Sequence, residues 1–187
     1  MRLSRAPAGA SLDEAMPART DSFDLGRLRL TSGEGRRLVL EVGLDPLQFG
    51  GETYALTPDA VEAILDISRT THNGFALRLR FEASLRGPCM RCLEPAEPAV
   101  SVDSREVDQP GDIEELRSPY VTDEVLDLHA WARDALALAL PVQLLCRADC
   151  AGLCPVCGTD LNAAGPEHAH DREPDPRWAK LGELKFD

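Results

Sequence analysis

Aromatic side chains are scarce in this chain of 187 residues, at 5% of the total. The scarcity leaves no aromatic-rich shell of the kind a small rubredoxin-type iron site uses, although two C-x-x-C pairs are present. Long apolar runs are missing too. None approaches the roughly 18 residues that span a bilayer as a helix, so no membrane role is expected. Residues 1–24 hold no continuous hydrophobic segment and include Asp13, Glu14 and Asp21. They resemble neither a secretory signal nor a transit peptide and read as a disordered tail. A chain without an export signal is expected in the reducing cytoplasm, where clustered cysteines serve as metal ligands more often than as disulfides. Enzyme motifs are absent as well: there is no G-x-S-x-G, no P-loop and no dinucleotide fingerprint. Pro88-Cys89-Met90-Arg91-Cys92 matches half of a zinc-deaminase signature, but no H-x-E completes it. A thioredoxin-like dithiol needs a βαβ setting, and Pro95 follows Cys92 where its helix should run. No active site emerges, and a non-enzyme is expected.

Positive charge is the next deficit. Lys and Arg number 20 against 32 Asp and Glu, a formal charge of −12. Residues 1–91 balance, with twelve basic and twelve acidic side chains; residues 92–187 carry eight and twenty, which accounts for the whole excess. Phosphate neutralisation supplies most non-specific affinity for nucleic acid, so a chain this acidic is a poor general binder. Any contact with nucleic acid must be local or run through a partner.

What the chain does have is a β-rich half, one helix and a cluster of cysteines. Leu38, Leu40, Val42 and Leu44 alternate with more polar neighbours, as in a half-buried strand. Val61, Ala63, Leu65 and Ile67 line one side of a segment that reads as strand, although Thr57-Pro58-Asp59 would also cap a helix. After the Asn73-Gly74 turn signal comes the clearest strand, with Phe75, Leu77, Leu79, Phe81, Ala83 and Leu85 on one face. Its other face carries Arg78, Arg80 and Arg86. A solvated sheet face is the bland reading of these residues; with Arg91 close by in sequence, the sharper one is a small phosphate-contacting strip. Ala99–Val107 reads as the returning strand, which puts Cys89 and Cys92 at a hairpin tip. From Asp103 to Asp127 nine acidic residues face two basic ones, the mark of a solvated loop. Asp127 then N-caps a helix whose apolar stripe is Leu128, Trp131, Ala135, Leu138 and Ala139, and Pro141 stops it. The expected fold is α+β: a β-rich N-terminal half as an antiparallel sheet or partly open barrel, one main helix, and a C-terminal zinc-ribbon-like knuckle. Its parts are the tail (1–24) and one domain (25–187). The domain divides into a β-rich part (25–107), an acidic loop (108–124), the helix (125–141), a zinc-binding segment (146–170) and a short C-terminal helix (175–184) with Trp178, Leu181 and Leu184.

Six cysteines in the pattern C-x2-C and C-x3-C-x3-C-x2-C make a strong metal signal, where one C-x-x-C would be weak. Tetrahedral zinc takes four ligands, so six thiols fill one site and leave two over. His168 and His170, beyond Cys157 by about the length of a zinc-ribbon loop, would complete a second. The favoured pairing is Cys89, Cys92, Cys146 and Cys150 in one site, with Cys154, Cys157, His168 and His170 in the other. A pairing of Cys89 and Cys92 with Cys154 and Cys157 stays open, as does a reading of the histidines as an exposed loop pair.

Several motifs recur in order: Cys89-x-x-Cys92-Leu93-Glu94 after a β-rich half, the acidic spacer, Leu126-Asp127-Leu128, and Leu138-Ala139-Leu140-Pro141. Cys146-x3-Cys150-x-Gly152-Leu153-Cys154-Pro155-x-Cys157-Gly158 follows, then Asp160-Leu161-Asn162 and Asp175-Pro176-Arg177. Over residues 25–184 this resembles the bacterial YceD family, the large ribosomal RNA subunit accumulation proteins. Many members carry C-x-C where this chain has His168-Ala169-His170, an exchange that keeps the capacity to ligate zinc. The resemblance implies about two structural zinc ions and a non-catalytic role in synthesis, processing or stability of 23S rRNA. Implied partners are 23S rRNA or a pre-large-subunit particle, met directly or through a protein such as a basic large-subunit ribosomal protein. An acidic adaptor that binds a basic partner without an rRNA role is the competing reading.

Overall fold

The spine of the molecule is β6 (Phe75–Pro88), the longest strand. The computed structural model of the chain describes residues 19–111 and 113–170. Along β6 the period-2 pattern translates directly into burial: Phe75, Leu77, Leu79, Phe81, Ala83 and Leu85 lie inside, and their neighbours in sequence are more exposed. Six other strands attach to this spine, directly or through one another. On one side, β8 (Ala99–Asp108) pairs antiparallel over ten residues, from Phe75 opposite Asp108 to Ser84 opposite Ala99. On the other side, β5 (Ala60–Arg69) takes the first half of β6 and β4 (Glu52–Thr57) the second. Outside these, β2 (Gly35–Gly43) pairs with β5 and β3 (Leu47–Phe49) with β4, giving the order β2-β5-β6-β4-β3. The two-residue β7 (Pro95–Ala96) pairs with the last residues of β6 and makes the seventh strand. Every pairing is antiparallel, as expected from the sequence.

Val61, Ala63, Leu65 and Ile67 are all buried in β5, so the segment is a strand and not a helix. The turn between β5 and β6 holds His72 and Asn73 at positive φ, which the short polar Asn tolerates.

A second, three-stranded sheet joins β1 (Ser22–Asp24), β10 (Val125–Asp127) and β9 (Val121–Thr122). It revises two boundaries. Residues 22–24 belong to a strand where a tail was expected, because Phe23 packs against the core and pairs with Leu126. Residues 125–127, expected to open the helix, are strand instead, and the helix α1 runs over Leu128–Ala139. The Asp127 carboxylate does cap it, accepting from the backbone N–H of Ala130 at 2.9 Å. Its buried stripe is Leu128, Trp131, Ala132, Ala135 and Leu136, not the set ending in Leu138 and Ala139. Leu138 sits about 90° round the helix from the centre of that stripe, at 3.6 residues per turn, and is 88% exposed.

The acidic stretch is more ordered than its composition suggests. Asp108 is buried and accepts from the backbone N–H of Ser118 at 3.2 Å and from Arg117 at 3.4 Å. Gln109 donates its backbone N–H to Leu116 across the same loop. Tyr120 then stacks on Trp131 and donates to Asp134, which fixes the loop's exit on the helix. No helix among the described residues is long and apolar enough to cross a membrane. The short helix expected over 175–184 lies outside the described residues.

The main core fills the space between the inner face of the sheet and α1, with Trp131, Phe75, Leu79 and Leu136 among its fully buried members. A separate small cluster gathers Cys89, Cys92, Ala96 and Cys150, with Leu145 and Leu153 against it. The two hydrophobic clusters share no residue, which places the cysteines in a lobe of their own at the far end of β6.

Candidate metal centres

At that far end, Pro88 accepts the Tyr54 hydroxyl and the chain turns back toward β7. The backbone N–H of Leu93 bonds the carbonyl of Cys89, and that of Cys89 bonds the carbonyl of Glu94. This tight turn presents both thiols of the first C-x-x-C to one side. The segment leaving α1 reaches the same place: the Met90 N–H donates to the Leu144 carbonyl, and Cys146 and Cys150 follow on a further turn. The four sulfurs converge, each within 4.8 Å of the others. Cys89 and Cys150 are 3.8 Å apart and Cys92 and Cys146 are 3.6 Å apart. A tetrahedron with metal–sulfur bonds of about 2.3 Å has edges of about 3.8 Å, so the spacing fits a bound ion. Cys89, Cys92 and Cys150 are buried, and Cys146 is the accessible member.

Electrostatics at this centre favour a thiolate at Cys89 and resist one at Cys92 and Cys146. Burial opposes ionisation of Cys89, but backbone N–H groups of Cys92, Arg91 and Cys146 bring its thiol down to about 6. At Cys92 the backbone N–H of Glu94 favours the thiolate. Burial and the thiols of Cys150, Cys89 and Cys146 outweigh it, pushing the group up to about 12. Four mutually repelling sulfurs of this kind ionise together when a cation neutralises them.

The second group is local. Cys154 and Cys157 flank a knuckle in which the Gly158 N–H donates to the Cys154 carbonyl and the Cys154 N–H to the Thr159 carbonyl. Gly158 closes it at φ +74°, a conformation that favours glycine. The chain then forms the four-residue helix α2 (Leu161–Ala164), turns at Gly165, and returns His168 and His170 to the knuckle. Cys157 Sγ is 3.4 Å from His168 Nε2, which is 3.0 Å from His170 Nε2. These are about the edges expected of a tetrahedron with two thiolate and two imidazole corners, and all four ligand atoms lie within 4.8 Å of one another. The Thr159 hydroxyl and backbone N–H hold Cys157 down to about 6. Hydrogen bonds to Cys157 and Cys154 raise His170. Both groups can hold a metal ion, and the eight residues divide between them in the pairing favoured from sequence.

The arginines do not form one strip. Arg78 makes a two-pronged pair with Asp103 at 2.8 and 2.6 Å, and Arg80 meets Asp66 at 2.7 Å. Asp66 also takes Arg37 at 2.6 Å, so charges alternate across the outer face of the sheet. Arg86 lies beside Glu97. Arg91 belongs to the first centre instead: it donates to the Cys150 carbonyl at 3.1 Å and to Gln143 at 3.0 Å, while its backbone N–H lies 3.5 Å from Cys89 Sγ.

One participant was not assigned a role from sequence. Asn162 directs its side-chain amide at Cys150 Sγ, 3.6 Å away. The Asp160-Leu161-Asn162 motif gave it a place in the pattern but no task, because nothing in spacing reveals a donor aimed at a thiolate.

The sequence profile of a family described as large ribosomal RNA subunit accumulation protein YceD matches residues 77–185. Proteins of Mycobacterium bovis and Mycobacterium tuberculosis are each 37% identical over 148 residues, covering 74% of this chain and 69% of their own. A Mycobacterium leprae protein is 37% identical over 102 residues, covering 51% of this chain and 46% of its own. All three are described only as uncharacterized. No solved structure matches the chain.

Proposed function

Since this chain belongs to the YceD family, we propose that it is a non-catalytic, cytoplasmic ribosome-biogenesis factor that supports synthesis, processing or stability of 23S rRNA. The observation that carries the reading is the family match, whose description concerns accumulation of large-subunit ribosomal RNA. Zinc is the metal we assign to both centres. A four-thiolate set and a set of two thiolates and two imidazoles, both at tetrahedral spacing, suit zinc, and with four protein ligands each leaves no open position for chemistry. The ions would hold the fold.

Contact with the ribosomal particle through a basic protein fits the charge of −12. Glu114 and Glu115 are exposed beside the exposed Ile113 and Leu116, a surface suited to a cationic segment with apolar side chains. Direct phosphate contact through Arg78, Arg80, Arg86 and Arg91 would have to displace partners these side chains already hold. The acidic surface also favours the second reading, an adaptor for a basic protein with no rRNA role.

Deleting the gene and measuring 23S against 16S rRNA tests the proposal. A lowered 23S share, with the tagged protein sedimenting on large-subunit precursors, is expected. An unchanged ratio with no protein on precursors would sink it, and co-purification of a basic non-ribosomal protein in that case supports the adaptor.

A further inference from the structure

The two centres are not independent. Asp160, Leu161 and Asn162 lie between Cys157 and His168, inside the loop that the second centre closes, yet their side chains and backbone reach back to the first. Asn162 donates its amide toward Cys150 Sγ at 3.6 Å. Its carbonyl oxygen accepts from the backbone N–H of Ala151 and from Arg147, both at 2.8 Å. Those two residues bracket Cys150 along the chain. Asp160 holds Asn162 in place, accepting from its side-chain amide at 2.7 Å and from its backbone N–H at 2.9 Å. The Leu161 N–H donates to the Gly152 carbonyl. Gly152 is at φ +77°, and a Cβ there would come within 3.1 Å of the Arg91 carbonyl. That carbonyl already accepts from Leu153, and the Arg91 guanidinium bonds the Cys150 carbonyl. A continuous chain of hydrogen bonds thus runs from the loop of one centre to a ligand of the other.

We propose that Asp160-Leu161-Asn162 couples the two metal centres. Closing the Cys154–Cys157–His168–His170 loop around an ion positions Asn162 to donate to the Cys150 thiolate, and so raises the affinity of the four-cysteine centre. Asn162 is a positioning residue, and the inference rests on the metal reading above. A donor aimed at a ligating sulfur orients it and spreads its charge. Such outer partners are worth about 10- to 100-fold in metal affinity. By linkage, an ion in the four-cysteine centre raises the affinity of the other by the same factor. The coupling uses only hydrogen-bond donors and acceptors of this chain.

Titration of the reduced apo chain with cobalt(II), followed by competition with zinc(II), tests the coupling. The two cobalt centres differ in their thiolate charge-transfer and ligand-field absorption, because one has four thiolates and the other two. In the wild-type chain both spectra should grow together. In His168→Ala/His170→Ala the four-thiolate spectrum should survive with affinity lowered about tenfold, within the range for outer-shell partners. Asn162→Ala should lower the affinity of the four-cysteine centre similarly and let the two spectra grow independently. Adding it to the double histidine variant should cost little more. Asn162→Asp keeps the size and the acceptor for Ala151 but loses the donor, and should weaken the four-cysteine centre even if the alanine variant fails to fold. Affinity at that centre unchanged within about twofold in the histidine and aspartate variants, against the tenfold or more expected of an outer partner, overturns the coupling. Failure of the metal reading looks different: the wild-type chain then shows neither cobalt spectrum.

Discussion

Single side chains decide both the metal sites and the surface. With eight ligand candidates in two groups, the purified chain is expected to carry about two zinc ions, one per tetrahedral set, measured by elemental analysis. His168→Ala/His170→Ala should lose one, and Cys92→Ser should lose the other, since Cys92 lies buried 3.6 Å from Cys146. The same zinc content in the histidine variant and the wild type would exclude the second set. Asp66 gives a different kind of test. The hydrogen bond from Arg37 holds its carboxyl below the ordinary range; partial burial opposes this, and Arg80 adds to the lowering. A carboxyl held down in the folded state stabilises fully above its unfolded pKa of about 3.9 and loses that contribution as pH falls through the folded value. The stability gap between wild type and Asp66→Asn in urea should therefore stay constant from pH 7 to about 5 and close below about 4. Comparing both proteins at the same pH cancels acid-driven loss of metal. A gap that persists at the acid end would mean that Asp66 acts by packing and not by charge.

Among the elements, α1 separates what sequence discloses from what it hides. Trp131 is buried with its indole N–H donating to the Ser104 hydroxyl at 3.0 Å. Ser104→Ala should cost about 1–3 kcal/mol, because the buried donor loses its acceptor. Leu136→Ala should cost about 2–5 kcal/mol as a cavity in the main core, and Leu138→Ala no more than about 0.5 kcal/mol; urea unfolding of the three variants checks the order. From sequence the opposite is expected of the two leucines, since Leu138 continues one admissible 3.6-residue stripe and only the docking of α1 on β8 chooses the other. The strands were plainer. In β5 and β6 the apolar residues picked out at every second position are the buried ones, because a strand has only two faces and no rotational freedom to guess. Short strands such as β1 and β10 stayed hidden, since three residues carry no period and their pairing joins positions about a hundred residues apart. That the cysteines form ligand sets was readable, because each C-x-x-C supplies half of a tetrahedron. Which halves meet was not, since spacing allows Cys89 and Cys92 to join either Cys146 and Cys150 or Cys154 and Cys157, and the fold brings the first set together. Asn162 was not readable either, because the direction of one amide depends on the turn at Asp160.

At the scale of the whole molecule the question is whether metal holds all of the fold or one end of it. The main core packs Trp131, Phe75, Leu65, Leu79 and Leu136 between sheet and helix, and none of the cysteines belongs to it. Each fully buried large apolar side chain contributes about 1.5–3 kcal/mol, so the sheet has enough apolar burial to survive without an ion. The cysteine lobe does not. Among the described residues its apolar cluster is Cys89, Cys92, Ala96 and Cys150 with two flanking leucines, and its turns are joined by single backbone bonds such as Met90 to Leu144 and Leu153 to Arg91. A metal ion held by the four cysteines would substitute for a core there. Chelating both ions under reducing conditions is therefore expected to speed amide hydrogen exchange at Cys89, Leu93, Leu153, Cys154 and Leu161. Protection in β5, the first ten residues of β6 and β8 should persist, and added zinc should restore the rest. If exchange instead accelerates throughout β5 and β8, the ions hold the whole molecule, and the link from Cys92 to Cys146, 54 residues apart in sequence, is what keeps α1 on the sheet.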